Sequence, residues 1–135
     1  MDDFYWPVRV YYEDTDAGGV VYYANYLKFM ERARTEYLRH FGLEQDVLRE
    51  EYGILFVVAG VEVDYRRPAR FNDQLQVGAF LETLGRSRVT FSQPIYRERA
   101  GGELLTQGRV KAACVDAETL RPRPIPDSVK GRLQS

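Results

Sequence analysis

Cysteine, histidine and tryptophan occur once each in these 135 residues, as Cys114, His40 and Trp6. A single thiol rules out an intrachain disulfide. One thiol and one imidazole are too few soft donors for a transition-metal site, so no metal is expected. Long apolar runs are missing as well: none approaches the ~20 residues that cross a bilayer, so no membrane insertion is expected. Nor is there an excess of one charge. Nineteen basic and 20 acidic residues leave a net charge of -1, with no global field to hold a nucleic acid. The start, Met1-Asp2-Asp3-Phe4-Tyr5-Trp6-Pro7, is acidic and lacks both the basic and the apolar part of a signal peptide. A cytoplasmic setting is the expectation. Internal repeats and low-complexity segments are absent.

What remains is an ordinary globular balance, 44% hydrophobic and 29% charged, in a length that suits one domain over 1–135. Ten Tyr and seven Phe supply rings enough for a groove or an interface as well as a core. Val8, Val10 and Tyr12 alternate with Arg9 and Tyr11, which predicts a strand over 8–12. Tyr26, Phe29, Met30, Ala33, Tyr37 and Phe41 recur every three or four residues and predict a helix over 25–41. Asn25 is a good N-cap for it and Gly42 a good stop. A short helix is expected over 44–51.

Alternation then predicts strands over 54–67, 75–81, 88–98 and 104–115, with a bulge at Gly60 and turns at Gly85 and 100–102. Pro94 suggests an edge or a bulge in its strand. Pro122, Pro124 and Pro126 predict an extended tail. One helix covers five strands only if the sheet curls around it. The fold class is therefore α+β, an antiparallel sheet with the helix on its concave face.

The loop Glu13-Asp14-Thr15-Asp16-Ala17-Gly18-Gly19 admits several readings. Asp and Gly are ordinary turn formers, and their side chains can serve local backbone alone. A calcium loop fails, because counting from Asp14 puts Asn25 where a bidentate Glu is needed. A catalytic reading also stands. A carboxylate just before a helix start lies near N–H groups that lack a helical partner and favour negative charge. Such donors stabilise a developing oxyanion, while the carboxylate attacks the carbonyl carbon or deprotonates a water.

The stretch VRVYYEDTDAGGVVYYANYLKFMERAR resembles the signature of the 4-hydroxybenzoyl-CoA-thioesterase-like hotdog enzymes. It is most similar to their YbgC-type, Tol-Pal-associated acyl-CoA thioesterases. The likeness continues through VEVDYRRPARFNDQL, GRSRVTFSQ and CVDAETLRPRPIP. It implies a hotdog fold, a five-stranded antiparallel sheet wrapped around one long central helix. The implied reaction is hydrolysis of an acyl-CoA thioester, with no cofactor beyond the coenzyme A of the substrate.

By the same resemblance, Asp16 takes the place of the catalytic aspartate and Tyr23 that of the oxyanion-hole backbone N–H. Close relatives often carry His where Tyr23 stands, and a backbone donor survives that change. Gly19, Val20, Tyr22, Arg86, Ser87 and Arg88 are expected to contact substrate. Arg66, Arg67 and Arg70, with Arg86 and Arg88, cluster at strand ends and are candidates either for the coenzyme A phosphates or for a solvated rim. His40, at the far end of the helix, is expected to serve that C-terminus. Cys114 is expected to pack as a small hydrophobe.

Curled sheets leave long unpaired edges, and hotdog relatives pair through them, so a homodimer or homotetramer is expected. The family's links to envelope and phospholipid systems make an acyl carrier protein a possible partner. They also leave a second reading, a low-turnover binding module for acyl-carrier or phospholipid-synthesis partners.

Overall fold

Alternation and helical periodicity become six strands and one long helix in the computed structural model, which describes residues 4–134. The leader reading at residues 1–3 lies outside them. In chain order the elements are β1 (Tyr5–Arg9), α1 (Asn25–His40), α2 (Gln45–Val47), β2 (Ile54–Tyr65), β3 (Gln74–Gly78), β4 (Phe80–Leu84), β5 (Arg88–Arg97), β6 (Glu103–Asp116) and α3 (Asp127–Leu133). A π-helical turn, Leu48–Tyr52, continues α2 up to Gly53. All pairings between these strands are antiparallel, in the order β1-β3-β5-β6-β2, with β4 also along β5.

Six strands occupy five tracks. The segment expected as one strand over 75–81 is divided at Gly78 and Ala79. Val77 pairs with Ile95 and Phe80 with Ser92, so β3 and β4 follow one another along β5. The cause is Pro94. It has no N–H for its neighbour, and a Cβ on Gly78 would stand 2.9 Å from its Cδ. Gln93 covers the gap, its fully buried amide donating to the Gly78 carbonyl at 3.1 Å and to the Met30 carbonyl of α1 at 3.0 Å. Pro94 thus sits in an interior strand, at an interruption of its neighbour.

The first strand begins earlier than alternation indicated and ends at Arg9. Val10 still bonds to Asp73 and Asn72, after which a 3-10 turn, Tyr12–Asp14, leaves the sheet. Prolines 122 and 124 do hold an extended segment, with Pro122 bridged to Val115. Pro126 then opens α3, which the sequence reading missed. Its signals are local: Asp127 in the first turn, buried Val129 and Leu133 four apart, Lys130 and Arg132 in the last turn.

Helix α1 buries Tyr26, Phe29, Met30, Ala33, Tyr37 and Leu38. Burying each large side chain contributes about 1.5–3 kcal/mol. Helix and sheet approach closely at Gly108, where a Cβ would lie 2.6 Å from Met30 Cε. The helix does not cover the whole concave face. On β2, Phe56, Val58, Val61, Val63 and Tyr65 stand opposite Cys114, Ala112, Val110, Gly108 and Thr106 of β6. Yet Val58 is 51%, Val61 42% and Tyr65 46% exposed, because β2 is an edge strand. The register shift that keeps this row on one face falls between Val58 and Gly60, where the bulge was expected.

Candidate active site

A small hairpin carries the loop carboxylate just ahead of α1 in the chain. Thr15 and Val21 pair across it, and the Asp16 N–H donates to the Val20 carbonyl at 2.9 Å. Gly19, with φ +80°, makes the left-handed step that closes the turn, and its N–H donates to the Asp16 carbonyl. The Asp16 carboxylate is exposed at the tip. One oxygen accepts the Gly18 N–H at 2.8 Å, so the local turn role and an open carboxylate coexist.

Its neighbour two residues back is different. Asp14 is 6% exposed and accepts from the Tyr11 N–H at 2.8 Å and the Asn25 amide at 3.0 Å. Asp14 ties the loop to the first residue of α1. Asn25, expected as the cap, is instead the first helical residue and spends its side chain on that tie.

Between hairpin and helix the chain makes a single turn. The Tyr22 N–H donates to the Asp14 carbonyl and the Asn25 N–H to the Tyr22 carbonyl. The Tyr23 N–H, one residue before the cap Ala24, has no acceptor among the described residues. Rings enclose this turn: Tyr23 stands edge-on to Tyr65, and Tyr22 lies 4.8 Å from Tyr23. The Tyr23 hydroxyl, hydrogen-bonded to that of Tyr22, raises the latter above the usual phenol value. Val21, Tyr23, Tyr26, Tyr65, Arg67 and Pro68 line a shallow cleft here. Burial raises the Tyr26 hydroxyl, which accepts the Ala69 N–H at 3.0 Å.

Asp16, Gly19, Val20, Tyr22 and Tyr23 therefore lie along one hairpin and the turn that leads into α1. Arg86, Ser87 and Arg88 do not join them within one chain. Arg88 pairs with Ala113 and the Ser87 carbonyl accepts from Cys114, toward the Asp116 end of β6. Tyr65, beside the Tyr23 turn, pairs with Thr106. At the usual strand rise the two places are on the order of 20 Å apart. Arg66 and Arg67 lie closer, in the lining of the cleft.

A second concavity, a cavity of about 180 Å³, opens between the later turns of α1 and the sheet. Leu38, Phe56, Val58, Val89 and Phe91 give it apolar walls, and Arg34 lines it too. The Arg34 guanidinium donates to Gln93 at 2.9 Å, and burial lowers its pKa. Sequence reasoning missed Arg34 and Gln93; they announce themselves only through burial. Glu31 lines the same cavity and accepts weakly from the Thr35 hydroxyl at 3.5 Å. His40 is exposed in the last turn of α1, against Phe4 and Phe41, and Cys114 is buried as expected.

A family model described as the thioesterase-like superfamily matches residues 10–133. The chain belongs to that superfamily. It is 45% identical over 126 residues to the acyl-CoA thioester hydrolase YbgC of Escherichia coli O6:H1, covering 93% of this chain and 92% of that one. It is also 45% identical to the acyl-CoA thioesterase YbgC of Haemophilus influenzae, over 94% and 91% of the two chains. Among solved structures, a probable thioesterase from Bartonella henselae superposes with a TM-score of 0.84 at 32% identity. That match covers 93% of this chain and all of the other. The hotdog architecture is thus the family's own, and the six-strand count is one track interrupted.

Proposed function

We propose that this thioesterase hydrolyses acyl-CoA thioesters with Asp16 as its catalytic carboxylate and the Tyr23 N–H as its oxyanion donor. Acyl-CoA thioester hydrolysis is the activity named for the YbgC relatives. The observation that carries the site is a juxtaposition. An exposed carboxylate stands at a hairpin tip, and the chain returns from it directly to an N–H without an acceptor at the head of α1.

Two routes use these groups. In one, a carboxylate oxygen attacks the thioester carbon, coenzyme A leaves as its thiolate, and water hydrolyses the acyl-aspartyl anhydride. In the other, the carboxylate takes a proton from the water that attacks. In both, the carbonyl oxygen gains negative charge, which the Tyr23 N–H and the helix start stabilise. Neither route needs a metal, so dialysis against a chelator should leave turnover unchanged.

The site is completed by a second copy of the chain in a homodimer or a homotetramer built from dimers. Support comes from the uncovered apolar row on β2 and from the distance between Arg86–Arg88 and Asp16 within one chain. Antiparallel self-pairing of β2 sets the start of one strand against the end of the other. The Arg86–Arg88 turn and the Arg34 cavity of one copy then approach the Asp16 hairpin of its partner.

The test is thiol release over a panel of acyl-CoA esters, short to long chain and aromatic. Turnover lost in Asp16→Asn and kept in a folded surface variant such as Glu118→Gln supports the assignment. Equal turnover in Asp16→Asn and the parent protein overturns it, and negligible turnover of the parent on every ester favours the binding-module reading.

A further inference from the structure

An oxyanion donor made of backbone works only if its peptide is held still, and the Tyr23 peptide lies outside the regular hydrogen bonds of α1. In an uninterrupted helix the Tyr23 carbonyl would accept from the N–H four residues on, that of Leu27. That N–H donates instead to the Ala24 carbonyl at 3.1 Å. The Tyr23 carbonyl accepts from a side chain 42 positions away, the Tyr65 hydroxyl, at 3.1 Å.

We propose that Tyr65 is a positioning residue for the oxyanion donor, its hydroxyl at the end of β2 fixing the turn that presents the Tyr23 N–H. This rests on the reading of Tyr23 given above. The N–H and carbonyl of residue 23 flank the same Cα. The bond from the Tyr22 N–H to the Asp14 carbonyl anchors the chain on one side, at 2.9 Å, and Tyr65 anchors it on the other. Without the second anchor, the Tyr23 carbonyl is free to turn toward water, and the N–H loses its fixed aim at the thioester oxygen.

The ring is placed for this work by its surroundings. It lies 5.4 Å from Tyr26 and edge-on to Tyr23 at 6.4 Å, while Tyr26 is itself pinned by the Ala69 N–H. Burial, and to a lesser degree Tyr23, raise the Tyr65 hydroxyl above its ordinary value, so it remains a donor through neutral and mildly alkaline pH. Tyr65 touches no reacting atom in this scheme. Its contribution is confined to the step in which the oxyanion forms.

The decisive variant is Tyr65→Phe, which keeps the ring contacts and removes only the donor. A net hydrogen bond of ordinary strength predicts a fall in kcat of about three- to tenfold. KM and assembly by light scattering should stay unchanged, and the melting temperature should fall by no more than the few degrees that one hydrogen bond contributes. An unchanged kcat overturns the proposal. So does a fall in kcat that comes with a raised KM, because that marks a merely structural tyrosine. A cycle with Tyr23→Pro separates this inference from the reading beneath it. If Tyr65 acts through the Tyr23 N–H, adding Tyr65→Phe to a folded Tyr23→Pro protein should cost nothing further. A fully active Tyr23→Pro protein overturns the oxyanion reading itself. An inactive one, beside a fully active Tyr65→Phe, overturns only the role of Tyr65. Should Tyr23→Pro not fold, the kcat and KM of Tyr65→Phe decide alone.

Discussion

Asp14 and Asp16 look interchangeable in the sequence, two acidic residues around one Thr in a turn-forming loop. Burial separates them. Asp14 faces inward and accepts two hydrogen bonds, while Asp16 points to solvent with a single local bond. Their variants should fail in different assays. Asp16→Asn should lose roughly 10²–10⁴-fold in turnover, and more if the carboxylate is the nucleophile, with little change in urea stability. Asp14→Asn should instead cost about 1–3 kcal/mol in urea denaturation, because a neutral amide replaces the carboxylate that tied Tyr11 to Asn25. A stable Asp14→Asn protein would show that the tie is dispensable.

Cys114 belongs at the residue scale too. It is buried, and burial raises its thiol, with Arg123 opposing weakly. A thiol-selective reagent at mildly alkaline pH should label the native protein far more slowly than the urea-unfolded chain. Equal rates would contradict the packing described.

Among the elements, those with a strong period were legible. Helix α1 falls within a residue of its expected bounds, and β2, β5 and β6 follow their alternation, including the bulge before Gly60. What escaped depends on contacts between distant segments. The break between β3 and β4 arises from Pro94 pressing on Gly78, and no local pattern in 75–81 records it. The helix α3 is seven residues long, too short for a period to stand out beside three prolines.

Gln93 holds the β3–β4 break together. Its amide reaches Met30 and Gly78, and its carbonyl accepts from Arg34, so three elements meet on one fully buried side chain. Gln93→Leu fills similar space but takes a donor from the Gly78 and Met30 carbonyls and the acceptor from the Arg34 guanidinium. It should destabilise the fold by about 2–4 kcal/mol in urea denaturation. A loss below half a kcal/mol would mean that β3 and β4 need no tie of this kind.

At the scale of the whole molecule, the hairpin half of the proposed site is contiguous in sequence: Asp16, Gly19, Val20, Tyr22 and Tyr23 lie along one hairpin and the turn that leads into α1. Arg86–Arg88 lie far from that hairpin within one chain, and in the arrangement proposed above they reach it only through a second copy. If β2 pairs with its copy, a charge in the exposed row should break both assembly and catalysis. Val61→Lys places an ammonium in the apolar seam and should yield a folded monomer by light scattering, with most turnover gone. A fully active monomer would contradict the shared site.

Mixing variants tests the same arrangement without breaking it. Asp16→Asn removes the carboxylate, and Arg86→Ala with Arg88→Ala removes the basic turn. Suppose each site takes its carboxylate from one copy and its basic turn from the other. A mixed dimer then holds one site with both defects and one with neither. Random reassembly of equal amounts makes half the dimers mixed, which predicts about a quarter of wild-type turnover at low substrate, from two parents that are each nearly inactive. If each chain instead carries a whole site, every chain in the mixture bears one defect, and activity cannot exceed the average of the parents. Thiol release measured before and after mild unfolding and reassembly of the mixture distinguishes the two arrangements, since only a shared site gains activity on exchange.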